Sequence, residues 1–224
     1  MSLAIKKNQD RTERAKKIVA FLKKTYPNPK TELTYTTDFQ FLASVILSAQ
    51  CTDKNVNKVT DILWKKYITL DDFITADSDI FTKELSSITY FRNKAKFILA
   101  SAKKVQEDFG GKIPNTEKKL ITLPGVAYKT AHVVLNELFD ITEGIPTDTH
   151  VRRFAIRFDL TDKKDLLRIS KDLEALISKK DWRYVNNGLV LYGRYVCPAR
   201  PHDCSKHALT KIYPPANFIW PKAK

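Results

Sequence analysis

Apolar residues recur along this chain at spacings of three and four positions, which is the pattern of amphipathic helices. Alternation of apolar and polar residues, which is typical of half-buried strands, is scarce, and the chain has only six glycines. The pattern therefore predicts an all-α fold. We expect helices over residues 11–26, 38–50, 52–67, 70–76, 79–86, 93–109, 116–123, 128–139, 149–158, 164–178 and 181–195.

Glycine and proline mark several of the predicted helix ends. Gly110 and Gly111 follow the helix over 93–109 and predict a left-handed cap at its C-terminus. Asp148 follows a proline-containing loop and precedes an apolar-periodic segment, so we expect it to be the N-cap of the next helix. The sequence shows no internal repeat and no low-complexity linker.

The charge of the chain indicates a polyanionic partner. Lys and Arg number 39 against 25 Asp and Glu, which gives a formal net charge of +14 and favours nucleic acid or an anionic membrane surface. A membrane is the weaker interpretation, because the sequence has no apolar run of about 18 residues and its N-terminus lacks the apolar segment of a signal peptide. Three cysteines do not make a disulfide framework in a chain of 224 residues, so we expect a reducing, cytoplasmic location.

Two short segments carry the residues best suited to chemistry. In LPGVAYKT (123–130), a proline–glycine turn precedes a helical segment and places Lys129 in the first helical turn. A helix N-terminus attracts phosphate and disfavours protonation of a nearby amine, so it suits an amine nucleophile. In PTDTH (146–150), Asp148 supplies a carboxylate. A surface lysine and a simple helix cap are the alternative interpretations of these two residues.

These segments belong to a series of strings that resembles the helix-hairpin-helix DNA glycosylases, and within them the endonuclease III branch. Each string alone is a weak signal, but five in the family's order, spread over residues 38–204, are a strong one. The strings are LSAQCTDKNVNKVT (47–60), SITYFRNKA (87–95), LPGVAYKTAHVVLNELF (123–139), PTDTHVRR (146–153) and YGRYVC (192–197).

The resemblance implies two helical lobes with a catalytic cleft between them. A central, barrel-like lobe over residues 31–141 would contain the helix-hairpin-helix. Residues 1–30 and 142–224 would form the second lobe, which carries a degenerate iron–sulfur loop. Lys129 would then lie near the end of one lobe and Asp148 near the start of the other.

The resemblance also implies a bifunctional DNA glycosylase and abasic-site lyase of base excision repair, acting on oxidised pyrimidines in duplex DNA. Lys129 would be the nucleophile that forms a Schiff base with the sugar and permits β-elimination, which requires its pKa to fall through partial burial and neighbouring positive charge. Asp148 would stabilise the cationic transition state and relay protons.

A set of DNA contacts follows from the same resemblance. Gln50 matches the residue that fills the gap opposite a flipped base, and a helix C-terminal cap is its alternative role. Tyr90 matches a wedge that stacks on bases, and a buried tyrosine is its alternative. Ala127 stands where the family usually has a second glycine, and its methyl group is tolerated only if φ is negative. The expected DNA-binding residues are Gln50, Tyr90, Gly125, Ala127, Thr130, His150, Arg194 and Arg200.

The family commonly holds a 4Fe–4S cluster near the C-terminus on four cysteines spaced C-x6-C-x2-C-x5-C. Cys197 and Cys204 keep the first spacing, whereas His207 and Tyr213 stand at the other two positions. Because cluster assembly normally uses four thiolates, we expect that the cluster is lost and that the chain has no metal or other cofactor. Zinc bound by the two cysteines, His207 and a fourth ligand such as His202 is the less favoured alternative. The C-terminal loop would then be held by the packing of Tyr213, Pro214, Phe218 and Trp220.

Two other functions remain open at this point. The first is a glycosylase of different specificity, acting on mismatched thymine or uracil or on an altered purine. The second is a non-catalytic helix-hairpin-helix protein that only binds DNA, which the presence of both Lys129 and Asp148 disfavours. We expect a monomer that is associated with the nucleoid and has no membrane partner.

Overall fold

The computed structural model describes residues 3–221 and confirms the all-α prediction, because every regular element in that range is a helix. The α-helices are α1 (Leu3–Thr25), α2 (Asp38–Ser48), α3 (Asp53–Leu63), α4 (Leu70–Ile74), α5 (Ser78–Glu84), α6 (Phe91–Phe109), α7 (Glu117–Leu120), α8 (Tyr128–Phe139), α9 (Thr149–Arg157), α10 (Leu166–Leu176), α11 (Trp182–Tyr195) and α12 (Ala208–Ile212). Short 3-10 helices cover Lys179–Asp181 and Pro214–Phe218. Residues 1–2 and 222–224, the outer ends of the predicted second lobe, lie outside the described residues.

The chain forms two compact units, each with its own apolar core. The inserted unit consists of Thr31–Ile141 and contains α2 to α8. The terminal unit consists of Met1–Lys30 together with Thr142–Lys224 and contains α1 and α9 to α12. Within 3–221, none of the helices has both the length and the apolarity that crossing a membrane requires.

The core of the inserted unit surrounds α2, in which every residue from Phe39 to Leu47 is buried. Gln40 is among them, and its side chain is fully hydrogen-bonded: it donates to the Tyr67 carbonyl oxygen at 2.9 Å and accepts from the backbone N–H of Thr36 at 2.9 Å. A buried amide satisfied in this way fixes the start of α2 without a large desolvation cost. The aromatic rings of Phe39, Trp64, Tyr67 and Phe81 all contact Phe73.

The terminal unit fixes the segment that leads into α9. Ser170 of α10 donates from Oγ to the Ile145 carbonyl oxygen at 2.7 Å, and Asn186 of α11 donates from Nδ2 to the Pro146 carbonyl oxygen. Both carbonyl groups are buried, so each bond satisfies a group that water does not reach. The backbone is therefore anchored on two helices immediately before Asp148.

The structure differs from the predicted helices mainly at their ends. α1 begins at Leu3 rather than at residue 11, because the polar run over residues 6–10 (KKNQD) interrupts the apolar period that sequence analysis detects. α12 was not predicted, since a five-residue helix offers too short a pattern. Gly110 is a left-handed C-cap at φ 59°, which confirms the prediction for the end of α6.

The prediction that four side chains pack to hold the C-terminal segment is wrong for two of them. Phe218 is 83% exposed, and Pro214 is also exposed. Tyr213 and Trp220 do pack on the core of the terminal unit, and each ring lies under a guanidinium group: Arg14 at 4.0 Å from the Tyr213 centroid and Arg157 at 3.8 Å from the Trp220 centroid. Cation–π contacts thus replace part of the expected apolar packing.

Replacing Trp220 with alanine is expected to lower the free energy of unfolding by about 1–3 kcal/mol, because it removes packed area and a ring that covers a buried guanidinium. Phe218→Ala is the matched control and should change the free energy of unfolding by less than about 0.5 kcal/mol, since its ring is already exposed. Urea denaturation of the two variants measures the difference. Equal losses would show that Trp220 does not anchor the segment.

Candidate active site

Lys129 lies in the first turn of α8, where the sequence placed it. Ala127 is the N-cap residue, and its side chain contributes no capping hydrogen bond. The first turn contains no acidic residue, so the partial positive charge of the helix N-terminus is not opposed there. The Lys129 side chain is exposed, so the partial burial expected for a neutral amine is not found.

The turn before α8 requires glycine at one position. Gly125 has φ 79°, and a Cβ atom built there would lie 2.9 Å from Cβ of Phe97. The preceding carbonyl oxygen, that of Pro124, accepts a hydrogen bond from Ser101 Oγ at 2.8 Å. Both Phe97 and Ser101 belong to α6, so this helix fixes the position of the turn. Ala127 has φ −94°, which any L-residue adopts, so its methyl group does not strain the turn.

A pair of side chains in contact joins the two helices of the hairpin. His132 of α8 is buried, and its Nε2 lies 2.6 Å from Oε2 of Glu117 at the start of α7. Thr130 lies between Lys129 and His132 in the sequence, and it is half-buried. Sequence analysis missed the pair, because a histidine in a helical segment gives no local signal that it contacts a residue before the turn.

Asp148 is the N-cap of α9, as predicted. Its Oδ1 accepts hydrogen bonds from the backbone N–H groups of His150 at 2.8 Å and Val151 at 2.9 Å. The cap holds the carboxylate in one orientation at the N-terminus of a helix. A capping role and a catalytic role therefore use the same fixed geometry.

His150 packs closely against α11. A Cβ atom at Gly193 would lie 2.3 Å from His150 Nδ1, so only glycine allows this approach. Arg153 also lies close to Gly193: its Nη2 is 3.5 Å from the same Nδ1, and it donates from Nη1 to the Cys197 carbonyl oxygen at 2.8 Å. Arg194 follows Gly193 and is half-buried, whereas Arg200 is exposed. Close packing of α9 on α11 thus places His150 beside the segment that carries Arg194.

The structure brings Gln50 and Tyr90 onto neighbouring loops, and both have left-handed backbone conformations, at φ 54° and φ 58°. Asn55 links the loops, because its Nδ2 lies 3.3 Å from Cys51 Sγ and 3.2 Å from the Ser87 carbonyl oxygen. Tyr90 is 61% exposed, so the alternative of a buried tyrosine does not hold. Gln50 is exposed and lies beyond the C-cap of α2, which is Ala49. Left-handed conformations cost non-glycine residues energy and are common where side chains are held for function.

Lys94 supports the loop that carries Gln50, and sequence analysis did not identify it. Its Nζ donates to the carbonyl oxygens of Leu47 at 2.9 Å and Ala49 at 2.6 Å. Burial lowers the pKa of this amine, and a coulombic interaction with Cys51 opposes that effect. Two carbonyl acceptors offset the cost of burying the ammonium group. A lysine that binds the C-terminal carbonyl groups of α2 thus defines where the exposed loop begins.

A family model for the HhH-GPD superfamily of base excision DNA repair proteins matches residues 43–179. The chain belongs to this superfamily. Endonuclease III from Synechocystis sp. is 41% identical to the HhH-GPD chain over 216 residues, which cover 96% of this chain and 99% of the relative.

Solved structures of endonuclease III are also similar to this chain. A structure of endonuclease III trapped as a covalent intermediate with DNA has a TM-score of 0.83 at 32% identity and covers 90% of this chain and 94% of that one. A structure of a non-covalent endonuclease III–DNA complex has a TM-score of 0.85 at 31% identity and covers 92% of this chain and 97% of that one. The fold of the HhH-GPD chain is therefore that of endonuclease III.

The prediction that the HhH-GPD chain has no metal or cofactor is wrong. Cys197, His202, Cys204 and His207 form a group able to hold a metal ion, since one ligand atom from each lies within 4.8 Å of the others. This is the segment in which the resemblance to endonuclease III places a 4Fe–4S cluster, and the grouping is consistent with a metal centre there. The fourth member of the group is His202 rather than Tyr213. The family's spacing has no ligand position between the first two cysteines, so it does not predict a ligand at His202.

Arg157 of α9 lies beside the two sulfur atoms of this group. It is fully buried and donates from Nη1 to Cys197 Sγ at 3.0 Å and from Nη2 to Cys204 Sγ at 2.9 Å. Burial raises the pKa of the Cys197 thiol, and the Arg157 guanidinium opposes that effect. The two cysteines thus lie in the core of the terminal unit, in the loop between α11 and α12 and against Arg157 of α9.

We expect Gly125→Ala to lower the free energy of unfolding by more than the cost of placing alanine at a positive φ. Gly110→Ala is the matched control, because Gly110 also has a positive φ but has open space around it; the control should cost about 1 kcal/mol. Gly125→Ala should cost about 1–3 kcal/mol more, because its Cβ collides with Phe97. Denaturant unfolding measures both. If both substitutions lowered the free energy of unfolding equally, the contact with Phe97 of α6 would not constrain the turn.

Proposed function

We propose that this chain is a bifunctional DNA glycosylase and abasic-site lyase of base excision repair. The observation that carries the proposal is its 41% identity to an endonuclease III across 96% of this chain and 99% of that relative. The solved structure of endonuclease III trapped covalently on DNA supports a mechanism with a covalent enzyme–DNA intermediate. The roles of individual residues below are part of the proposal.

Lys129 is the nucleophile in this proposal. Its neutral amine attacks C1′ of the damaged nucleotide, the N-glycosidic bond breaks, and the base leaves with the bonding electrons and takes up a proton. Ring opening of the sugar gives a protonated Schiff base on Nζ. The Schiff base acidifies the C2′ proton, and its removal expels the 3′ phosphate by β-elimination. The place of Lys129 at the N-terminus of α8 supports this role, because the helix end attracts a nearby phosphate.

Asp148 stabilises the positive charge that develops on the sugar as the base departs, and it relays protons between the later steps. Its support is the fixed orientation of the carboxylate, whose Oδ1 is held by two backbone N–H groups at the start of α9. A carboxylate held in place by its own helix needs little reorganisation when charge appears.

Gln50 and Tyr90 fill the space that the extruded base leaves in the duplex. Extrusion costs a few kcal/mol, which inserted side chains offset by stacking and hydrogen bonding. Both residues are exposed, and they lie on adjacent loops that Lys94 and Asn55 hold in place. Tyr90 is 61% exposed and has a left-handed backbone conformation, which is common where a side chain is held for function.

The hairpin and the basic surface bind the DNA backbone. The turn at Gly125 and Ala127 presents backbone amides to phosphate, with Thr130 beside them, and His150, Arg194 and Arg200 add side-chain contacts. The net charge of +14 supports a large electrostatic contribution, so affinity should fall as salt rises.

The proposal also covers the damaged base, the oligomeric state and the location of the enzyme. We propose oxidised or ring-saturated pyrimidines as the damaged bases, removed by a monomer that works on the nucleoid. The lysine nucleophile favours a bifunctional enzyme over a glycosylase that uses water alone.

Replacing Lys129 with alanine should abolish the covalent adduct that borohydride traps on duplexes containing thymine glycol or an abasic site. The reason is that the Schiff base forms on its Nζ. Lys103→Ala is the control, because it removes an exposed lysine from α6 of the same unit, and it should keep the adduct. Denaturing electrophoresis of the trapped products measures both. An adduct that persists in Lys129→Ala would refute the assignment, and trapping on the abasic duplex alone would leave the lyase but change the substrate.

Replacing Asp148 with asparagine should lower the single-turnover rate of base removal by about 10²–10⁴-fold. Asparagine caps a helix as well as aspartate does, so the melting temperature should stay nearly unchanged. Asp165→Asn is the control, because Asp165 caps α10 of the same unit in the same way, and it should leave the rate unaffected. If Asp148→Asn kept the full rate, the residue would be a cap and nothing more.

A further inference from the structure

The group formed by Cys197, His202, Cys204 and His207 contains two nitrogen atoms that the protein leaves unsatisfied. His202 Nε2 and His207 Nδ1 are buried and have no hydrogen-bond partner among the described residues. Buried polar atoms are almost always paired, so each such exception indicates a missing ion, water or ligand. The two rings are 5.3 Å apart between centroids and inclined at 46°, so they are not stacked on each other.

The hydrogen bonding of His202 fixes which of its nitrogens is free to bind. Nδ1 lies 2.8 Å from the Arg200 carbonyl oxygen. A carbonyl oxygen only accepts, so Nδ1 carries the proton, and in the neutral imidazole Nε2 then presents its lone pair. A histidine that donates its other N–H to a backbone carbonyl is the usual arrangement of a metal ligand.

His207 gives an independent indication. It is the N-cap residue of α12, yet its side chain makes no capping hydrogen bond, and its Nδ1 is buried instead. The atoms within reach are the ligand atoms of the other three members of the group.

Both sulfur atoms of the group accept hydrogen bonds from a neighbouring side chain. The Arg157 guanidinium donates to both of them, at 3.0 Å and 2.9 Å. N–H donors that surround and orient ligand atoms are a usual feature of metal sites, so the guanidinium is placed to support both sulfur atoms as ligands. The Trp220 ring covers the Arg157 guanidinium at 3.8 Å and lies 5.1 Å from the His202 ring, which screens the group from water.

We propose that Cys197, His202, Cys204 and His207 bind a single zinc ion in a tetrahedral site. Two thiolates and two imidazoles are a donor set typical of structural zinc, whereas a 4Fe–4S cluster of the usual kind takes four thiolates. With Zn–S near 2.3 Å and Zn–N near 2.0 Å, neighbouring ligand atoms of a tetrahedron lie about 3.3–3.8 Å apart. The observed limit of 4.8 Å requires only a small contraction around one ion.

The zinc ion joins the segment after α11 to the start of α12. Cys197 follows the C-cap of α11, and His207 is the N-cap of α12. The loop between them would be closed by the metal, so binding should stabilise the terminal unit. This inference concerns a structural site and does not depend on the proposed glycosylase activity.

The first experiment measures the metal in the full-length chain, purified without a polyhistidine tag. Elemental analysis should find one zinc ion per chain, with iron far below that. The protein stripped by a chelator should then bind Co²⁺ at one ion per chain and develop the visible absorption of tetrahedral Co²⁺ together with thiolate-to-cobalt charge transfer. Chelation should also lower the melting temperature of the native chain.

Variants assign the ligands. Cys204→Ser should lose part of the charge-transfer absorption and weaken Co²⁺ binding by more than about tenfold, and His202→Gln should weaken it similarly while keeping the charge transfer. Cys51→Ser is the control, because Cys51 lies in the inserted unit, and it should behave as the native chain does. If a variant fails to fold, the Co²⁺ titration of the native chain still decides the question.

Two results would overturn the proposal. The first is a folded, stripped chain that shows no saturable Co²⁺ absorption. The second is a chain purified with iron and acid-labile sulfide, which would mean that these residues hold an iron–sulfur cluster.

Discussion

The ends of helices leave backbone N–H and C=O groups without intrahelical partners, and the candidate functional side chains of this chain lie at such ends. Lys129 is in the first turn of α8, and Asp148 caps α9. Tyr90 is the N-cap of α6, and Gln50 follows the end of α2. The structure therefore places its candidate chemistry at helix ends, where side chains such as Asp148 and Lys94 bind backbone groups that the helix leaves without intrahelical partners.

Different parts of the core fix these ends. The turn before α8 is set by Phe97 and Ser101 of α6, and the end of α2 by Lys94 of the same helix. The segment before α9 is held by Ser170 and Asn186. Because each end is anchored by buried hydrogen bonds or close packing, a functional residue can be exposed without being free to move widely. Rigid support beneath an exposed side chain is what a site needs if it is to act on a large substrate such as DNA.

Sequence analysis predicted what short-range signals encode. Pro124 and Gly125 mark the turn, and the start of α8 at Tyr128 and of α9 at Thr149 followed from apolar periodicity and capping chemistry. Lys94 and His132 were missed, because each acts through a partner distant in sequence: Lys94 binds the end of α2, and His132 contacts Glu117. Neither contact leaves a periodic or motif signal.

The candidate metal site shows a second limit of prediction from sequence. Cys197, Cys204 and His207 were noted from their spacing, and His202 was named only as a possible fourth ligand in the less favoured zinc alternative, because the family's motif led to Tyr213 as the fourth position. The folded chain instead brings His202 to the group. Which side chain completes a site depends on how the loop between the cysteines turns, and a motif taken from relatives does not contain that information.

The account depends most on Lys129 being the residue that becomes covalently attached to the sugar. The most direct test is peptide mapping by mass spectrometry of the borohydride-reduced adduct between the native chain and an abasic duplex. The account predicts that the sugar remnant is attached to Nζ of Lys129, in a peptide from the start of α8. Attachment to another lysine or to the α-amino group would contradict it.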